Sequence, residues 1–105
     1  MGLKIERIVH GDRTRIAVQG EVDLYTSPDL RAALIKAVPA AEAGVEVDLS
    51  GVDYMDSSGV ATLVEGFKSA RENSKAFVLL TPSASVMKVL ELARLDSVFD
   101  IEKAP

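Results

Sequence analysis

Apolar and polar positions alternate near the start of the chain. Leu3 and Ile5, then Ile8 and Val9, stand between charged neighbours, and Ile16 and Val18 alternate with Arg15, Ala17 and Gln19. A period of two marks strands with one buried face, and His10-Gly11-Asp12 between the runs is turn-forming, so two paired strands are predicted. Ser27-Pro28 reads as an N-cap followed by proline at the first helical position, and Leu30, Ala33, Leu34, Ala37 and Val38 then repeat at helical spacing. This first helix is predicted to end near Pro39. Gly44 opens Val45-Glu46-Val47-Asp48-Leu49, whose strict alternation places three aliphatic side chains on one face of a third strand.

Val60, Leu63, Val64 and Phe67 fall at i, i+3, i+4 and i+7, which predicts an amphipathic helix from about Ser57 to Glu72. Leu63, Val64 and Phe67 are expected to be buried against Val45, Val47 and Leu49. Ala76-Phe77-Val78-Leu79-Leu80 is apolar throughout, as in a central strand covered on both faces. Val86, Val89, Leu90 and Ala93 form a third helical stripe, and Val98-Phe99-Asp100-Ile101 suits a short edge strand. The order β-β-α-β-α-β-α-β predicts an α/β fold with a mixed sheet, its later strands parallel and joined by right-handed helical crossovers.

At 105 residues the chain accommodates one domain, 1–105, around one core. Its formal net charge of −4, with no run of three basic residues, opposes direct binding to nucleic acid or to anionic lipid and points to a protein partner. No apolar run approaches the ~20 residues of a membrane span, and the N-terminal residues lack the pattern of a secretory signal, so a cytoplasmic location is expected. The absence of cysteine removes disulfides, thiolate chemistry and sulfur-ligated metal, and a single histidine cannot build a histidine metal cluster.

Candidate chemistry lies at Asp56-Ser57-Ser58-Gly59, where the third strand turns into the second helix at the carboxyl edge of the sheet. One reading is a helix cap, with an Asp or Ser oxygen accepting from free N–H groups and Gly59 adapting the turn. The other is a phosphoacceptor, because a hydroxyl at a helix N-terminus sits where backbone N–H groups and the helix dipole favour an anion. Two adjacent serines exceed what one cap requires. A catalytic serine would need a base and an orienting group, and His10, the sole histidine, sits about fifty residues upstream in a predicted turn as a solvated residue. No catalytic residue is assigned. A second polar cluster, Gly20-Glu21-Val22-Asp23, follows the second strand and precedes Thr26-Ser27-Pro28; it reads either as an exposed acidic loop or as part of a docking face converging with the first cluster.

Gly20-Glu21-Val22-Asp23 and the run Val47-Asp48-Leu49-Ser50-Gly51-Val52-Asp53-Tyr54-Met55-Asp56-Ser57-Ser58-Gly59 together resemble the STAS family, most closely its bacterial anti-sigma factor antagonists, over roughly Leu3 to Ile101. The resemblance implies a single STAS-type domain with a mixed four- or five-stranded sheet flanked by helices. It places phosphate on the first serine of the motif, Ser57, where spacing alone permits Ser57 or Ser58. Glu21, Asp23, Asp56, Ser57, Ser58 and Gly59 are the implied partner-binding residues. Antagonists of this type bind an anti-sigma factor, often itself an ATP-dependent serine kinase, when unphosphorylated, and so release a sigma factor; a metal-dependent serine phosphatase restores them. ATP and metal then belong to the partners, and the chain needs no cofactor of its own. The rival role within the family is an accessory subunit docking on the ATPase of a bacterial lipid-transport ABC complex.

Overall fold

The computed structural model describes residues 2–103. The elements run β1 (Leu3–His10), β2 (Arg13–Val22), α1 (Ser27–Ala40), β3 (Gly44–Met55), α2 (Ser57–Glu72), β4 (Ala76–Leu80), α3 (Ala84–Leu92) and β5 (Asp100–Glu102). One five-stranded sheet has the order β1-β2-β3-β4-β5, with β1 antiparallel to β2 and every later pair parallel. The three crossovers step in one direction across the sheet. Since such connections are right-handed, all three helices lie on one face.

That face holds the core. Ile16 and Val18 of β2, Val45, Val47 and Leu49 of β3, and Leu79 of β4 meet Leu30, Leu34, Leu63, Val86 and Leu90 of the helices, all buried. On the opposite face the ladder aligns Arg15, Glu46, Val78 and Asp100 in one row. Glu46 is only 8% exposed, and its carboxylate receives Arg13 at 3.3 Å and Arg15 at 3.2 Å. Val78 and Leu80 are buried on this side too, so β4 is enclosed on both faces as its apolar run predicts, although helices cover only one. The alternation Val45-Glu46-Val47-Asp48 thus separates a helix-covered face from one closed by side chains of the neighbouring strands.

Several boundaries differ from the sequence reading for identifiable reasons. Thr26, not Ser27, is the N-cap of α1, and it makes no side-chain cap bond. Its hydroxyl instead donates to Glu21 O at 2.8 Å and accepts from Asp23 N at 2.9 Å, while Ser27 N donates to Asp23 O at 2.8 Å. Pro39 is tolerated inside the last turn of α1, which continues to Ala40. Gly20-Glu21-Val22 belongs to β2, so only Asp23 of that cluster follows the strand. β5 starts at Asp100; Val98 is exposed and Phe99 buried just before it.

The buried stripe of α2 is also rotated from the predicted one. Leu63 is buried as expected, but Val64 and Phe67 are only partly buried, and the stripe continues through Gly59, Thr62, Gly66 and Ala70. A Cβ on Gly66 would fall 2.9 Å from the Phe77 ring and 3.1 Å from Leu34, so small residues let α2 approach α1 and the sheet closely. Ala93 is the C-cap of α3 and exposed. Helices α2 and α3 both end with a left-handed residue, Ser74 (φ 56°) and Arg94 (φ 58°), followed by Lys75 N donating to Ala70 O and Leu95 N to Leu90 O. This is the Schellman arrangement, here without glycine.

Candidate functional site

Strands β2 and β3 run parallel and finish together, their last ladder pair being Val22 opposite Met55. One residue beyond that pair stand Asp23 and Asp56, and Asp56 N donates to Val22 O at 3.1 Å, tying the two strand ends together. The two polar clusters of the sequence therefore meet at the carboxyl edge of the sheet. Gly59 makes the close fit possible. A Cβ there would lie 2.5 Å from Met55 Cγ and 2.9 Å from Val22 Cγ1, so the first turn of α2 rests directly on both strand ends.

Asp56 caps α2. Its Oδ1 accepts from Ser58 N at 2.9 Å and Gly59 N at 3.4 Å. Of the two readings of the motif, the cap thus falls to Asp56 and neither serine hydroxyl is needed for it. Ser57 opens the helix and is exposed, whereas Ser58 is half-buried, its carbonyl accepting from Thr62 Oγ1 at 3.0 Å. The expectation of free N–H groups awaiting an anion needs revision, since the Asp56 carboxylate already takes two of them. A phosphate on Ser57 would meet a seated negative charge.

Asp23 organises the neighbouring loop. Its Oδ1 accepts from Tyr25 N at 2.9 Å and Thr26 N at 3.0 Å, and the Thr26 hydroxyl lies at 3.2 Å. The Thr26 N–H holds the Asp23 carboxyl below the usual carboxylate range; burial opposes the shift, and the Tyr25 N–H and Thr26 hydroxyl add to it. Glu21, opposite Tyr54 in the ladder, is exposed. His10 closes β1 opposite Arg13, whose own partner Gly44 begins β3, so the only histidine lies at the other end of the sheet from Ser57.

The structure adds three residues that the sequence reading missed. Leu24 and Tyr25 in the Asp23 loop are 67% and 87% exposed, and Tyr54, two residues before Asp56, is 49% exposed. Tyrosine is enriched at protein–protein interfaces relative to the rest of the surface. The available signal was an apolar pair inside a polar loop with no periodic partner. Among the described residues no group of His, Cys, Asp or Glu is placed to hold a metal ion, and no helix is long and apolar enough to cross a membrane.

Comparison with known proteins agrees with this geometry. The family model described as "Mlab, STAS domain" matches residues 8–101. An anti-sigma-B factor antagonist from Staphylococcus epidermidis is 31% identical over 103 residues, covering 98% of this chain and 95% of that protein. The crystal structure of an anti-sigma factor antagonist from Mycobacterium paratuberculosis superposes with a TM-score of 0.87 at 22% identity, covering 96% of this chain and 86% of that one. The phosphorylated form of the Bacillus cell fate determinant SpoIIAA superposes with a TM-score of 0.75 at 23% identity, covering 99% of this chain and 92% of that one.

Proposed function

The chain belongs to the STAS domain family, and from its likeness to anti-sigma factor antagonists we propose that it acts by partner switching. In its unmodified form it binds an anti-sigma factor and thereby frees a sigma factor; phosphate on Ser57 dissolves that complex. The domain is a regulator and not an enzyme, in keeping with relatives named as antagonists. The anti-sigma factor doubles as the serine kinase and supplies ATP, a serine phosphatase reverses the modification, and the pathway is cytoplasmic.

The carrying observation is the exposure of Ser57 on the same sheet edge as the Asp23 loop, with its hydroxyl free of the capping role that Asp56 fills. Glu21, Asp23, Asp56, Ser58 and Gly59 frame the docking surface, and Leu24, Tyr25 and Tyr54 supply its apolar contacts. At neutral pH a phosphoserine brings about −1.5 to −2 charge. Desolvated against a surface shaped for a hydroxyl, and close to Asp56, that charge is unpaired, and a loss of about 3 kcal/mol would weaken binding more than a hundredfold. The SpoIIAA neighbour, named as a phosphorylated form, is compatible with such a switch.

The test is to incubate the protein with the anti-sigma factor kinase and ATP, locate phosphate by mass spectrometry, and titrate the products against the same partner. Phosphate is expected on Ser57; Ser57→Ala should resist modification and keep its affinity. Phosphate solely on Ser58, or equal affinity of the Ser57-phosphorylated form, overturns the reading. Capture of a transporter ATPase in place of an anti-sigma factor would replace the sigma pathway with the ABC accessory role.

A further inference from the structure

At the other end of α2, about 21 Å from Ser57 by helical rise, lies a cleft of about 450 Å³. It opens between the last two turns of α2 and the segment joining α3 to β5. Val64, Phe67, Leu95, Val98 and Phe99 are its apolar lining. Phe67 and Phe99 meet edge to face at 5.6 Å and form the floor, while Val98 remains 47% exposed. The volume falls within the usual range of small-ligand sites.

The polar residues at its mouth decide what would fit. Lys68 and Arg71 border the cleft, and neither is ion-paired among the described residues, whereas Arg31, Arg13 and Arg15 are. Arg71 Cζ stands 5.8 Å from the centre of the Phe67 ring, so its guanidinium is held over the apolar floor. Among the described residues Glu72 is the single acid in the lining, and with Lys68 and Arg71 it leaves the mouth with one net positive charge in a chain of net −4. An apolar cleft with a planar guanidinium and an ammonium at its rim is complementary to an aliphatic tail ending in a carboxylate, which an arginine can bind in bidentate fashion.

We infer that this cleft is a binding site for a free medium-chain carboxylic acid, its tail along Val64, Leu95 and Val98 and its carboxylate between Lys68 and Arg71. The site is separate from the docking edge, so both can be occupied together, and it stands whether or not Ser57 is the switch.

The probe is decanoate below its micelle-forming concentration, followed by amide chemical shifts of the full chain, with decyltrimethylammonium as the opposite-charge comparison. Decanoate should give saturable shifts confined to residues 64–72 and 95–99. Lys68→Gln and Arg71→Gln should each weaken it about tenfold, the scale of losing one charge-assisted contact at a partly wet site. Glu72→Gln should tighten it, a gain that misfolding cannot imitate. Absence of saturable shifts, equal binding of the cationic amphiphile, or an unchanged affinity in all three variants overturns the assignment.

Discussion

Gly59→Ala is the substitution that most directly probes how the first turn of α2 is seated at the carboxyl edge of the sheet. The added methyl would sit 2.5 Å from Met55 Cγ, 3.1 Å from Met55 Sδ and 2.9 Å from Val22 Cγ1. Both neighbours are essentially fully buried, and Val22 is β-branched at the end of a ladder, so it has little freedom to yield. Overpacking of this kind costs about 1–3 kcal/mol, and the better helix propensity of alanine returns at most about 1 kcal/mol in this first turn. The net expectation is a loss of about 1–2 kcal/mol, lowering the melting temperature by roughly 4–10 °C for a domain of this size. Urea unfolding with unchanged slope is the assay, and Gly2→Ala, whose Cβ would meet nothing within 4 Å, is the neutral comparison. A midpoint for Gly59→Ala equal to or above the wild type would refute the claim that this glycine seats α2 on Val22 and Met55. The same displacement should lift Ser57 away from the Asp23 loop, so partner affinity should fall beyond what the unfolded fraction explains.

Leu63→Ala should destabilise the domain by about 2–5 kcal/mol in urea unfolding, and Phe67→Ala by only about 1–3 kcal/mol, because Leu63 is fully enclosed while Phe67 borders an open cleft; a larger loss at Phe67 would contradict the observed rotation of the helix. Asp23 has a lowered folded-state pKa, so its contribution to stability is fully present above the unfolded value of about 3.9 and is lost as pH falls through the lower folded value. Asp23→Asn should remove that increment of acid sensitivity in a series of urea midpoints between neutral and acidic pH, and an unchanged pH profile would deny the carboxylate its role in the loop. The asparagine can still accept from Tyr25 N and Thr26 N, so if it keeps affinity where Asp23→Ala loses it, the residue acts by shaping the loop and not by its charge. Ser74→Gly should raise stability by about 0.5–1 kcal/mol, since φ 56° strains an L residue at the end of α2; a lower midpoint would count against that.

The element order was legible because strand and helix periods differ and because turn residues punctuate the chain at Gly11 and Gly44. The errors came where a residue's partners are set by the fold around it and not by the local pattern. Thr26 has the chemistry of a cap, yet its hydroxyl is engaged by Glu21 and Asp23, and this depends on where β2 ends. The α2 stripe was misplaced because large apolar residues were counted and Gly59, Gly66 and Ala70 were not; burial there reflects close approach to Met55, Phe77 and Leu34 rather than hydrophobicity. Glu46 reads as the exposed half of an alternating strand, and only the parallel pairing with β2 brings Arg13 and Arg15 to it. Likewise, Asp23 and Asp56 are thirty-three positions apart, and their meeting follows from the Val22–Met55 pair that ends the ladder.

The capping role of Asp56 would give the proposed phosphate switch at Ser57 a local character. Two unit charges about 4 Å apart repel by about 1 kcal/mol in water and about 4 kcal/mol in a partly shielded setting, and an exposed turn lies toward the lower figure. An N-cap contributes about 0.5–2 kcal/mol, the same scale. Phosphate on Ser57 would therefore oppose Asp56 with enough energy to loosen its bonds to Ser58 and Gly59, while its own oxygens would be able to accept from the N–H groups released. Against a typical domain stability of about 5–15 kcal/mol, this exchange leaves the fold standing. What it alters is the position and charge of the first turn of α2, which is the part of the helix that shares an edge with Asp23, Tyr25 and Tyr54. A modification that unfolded the domain would need to reach Leu63 and the sheet; one that only rearranged the cap would suffice to spoil the proposed docking surface, and its removal would restore that surface without refolding.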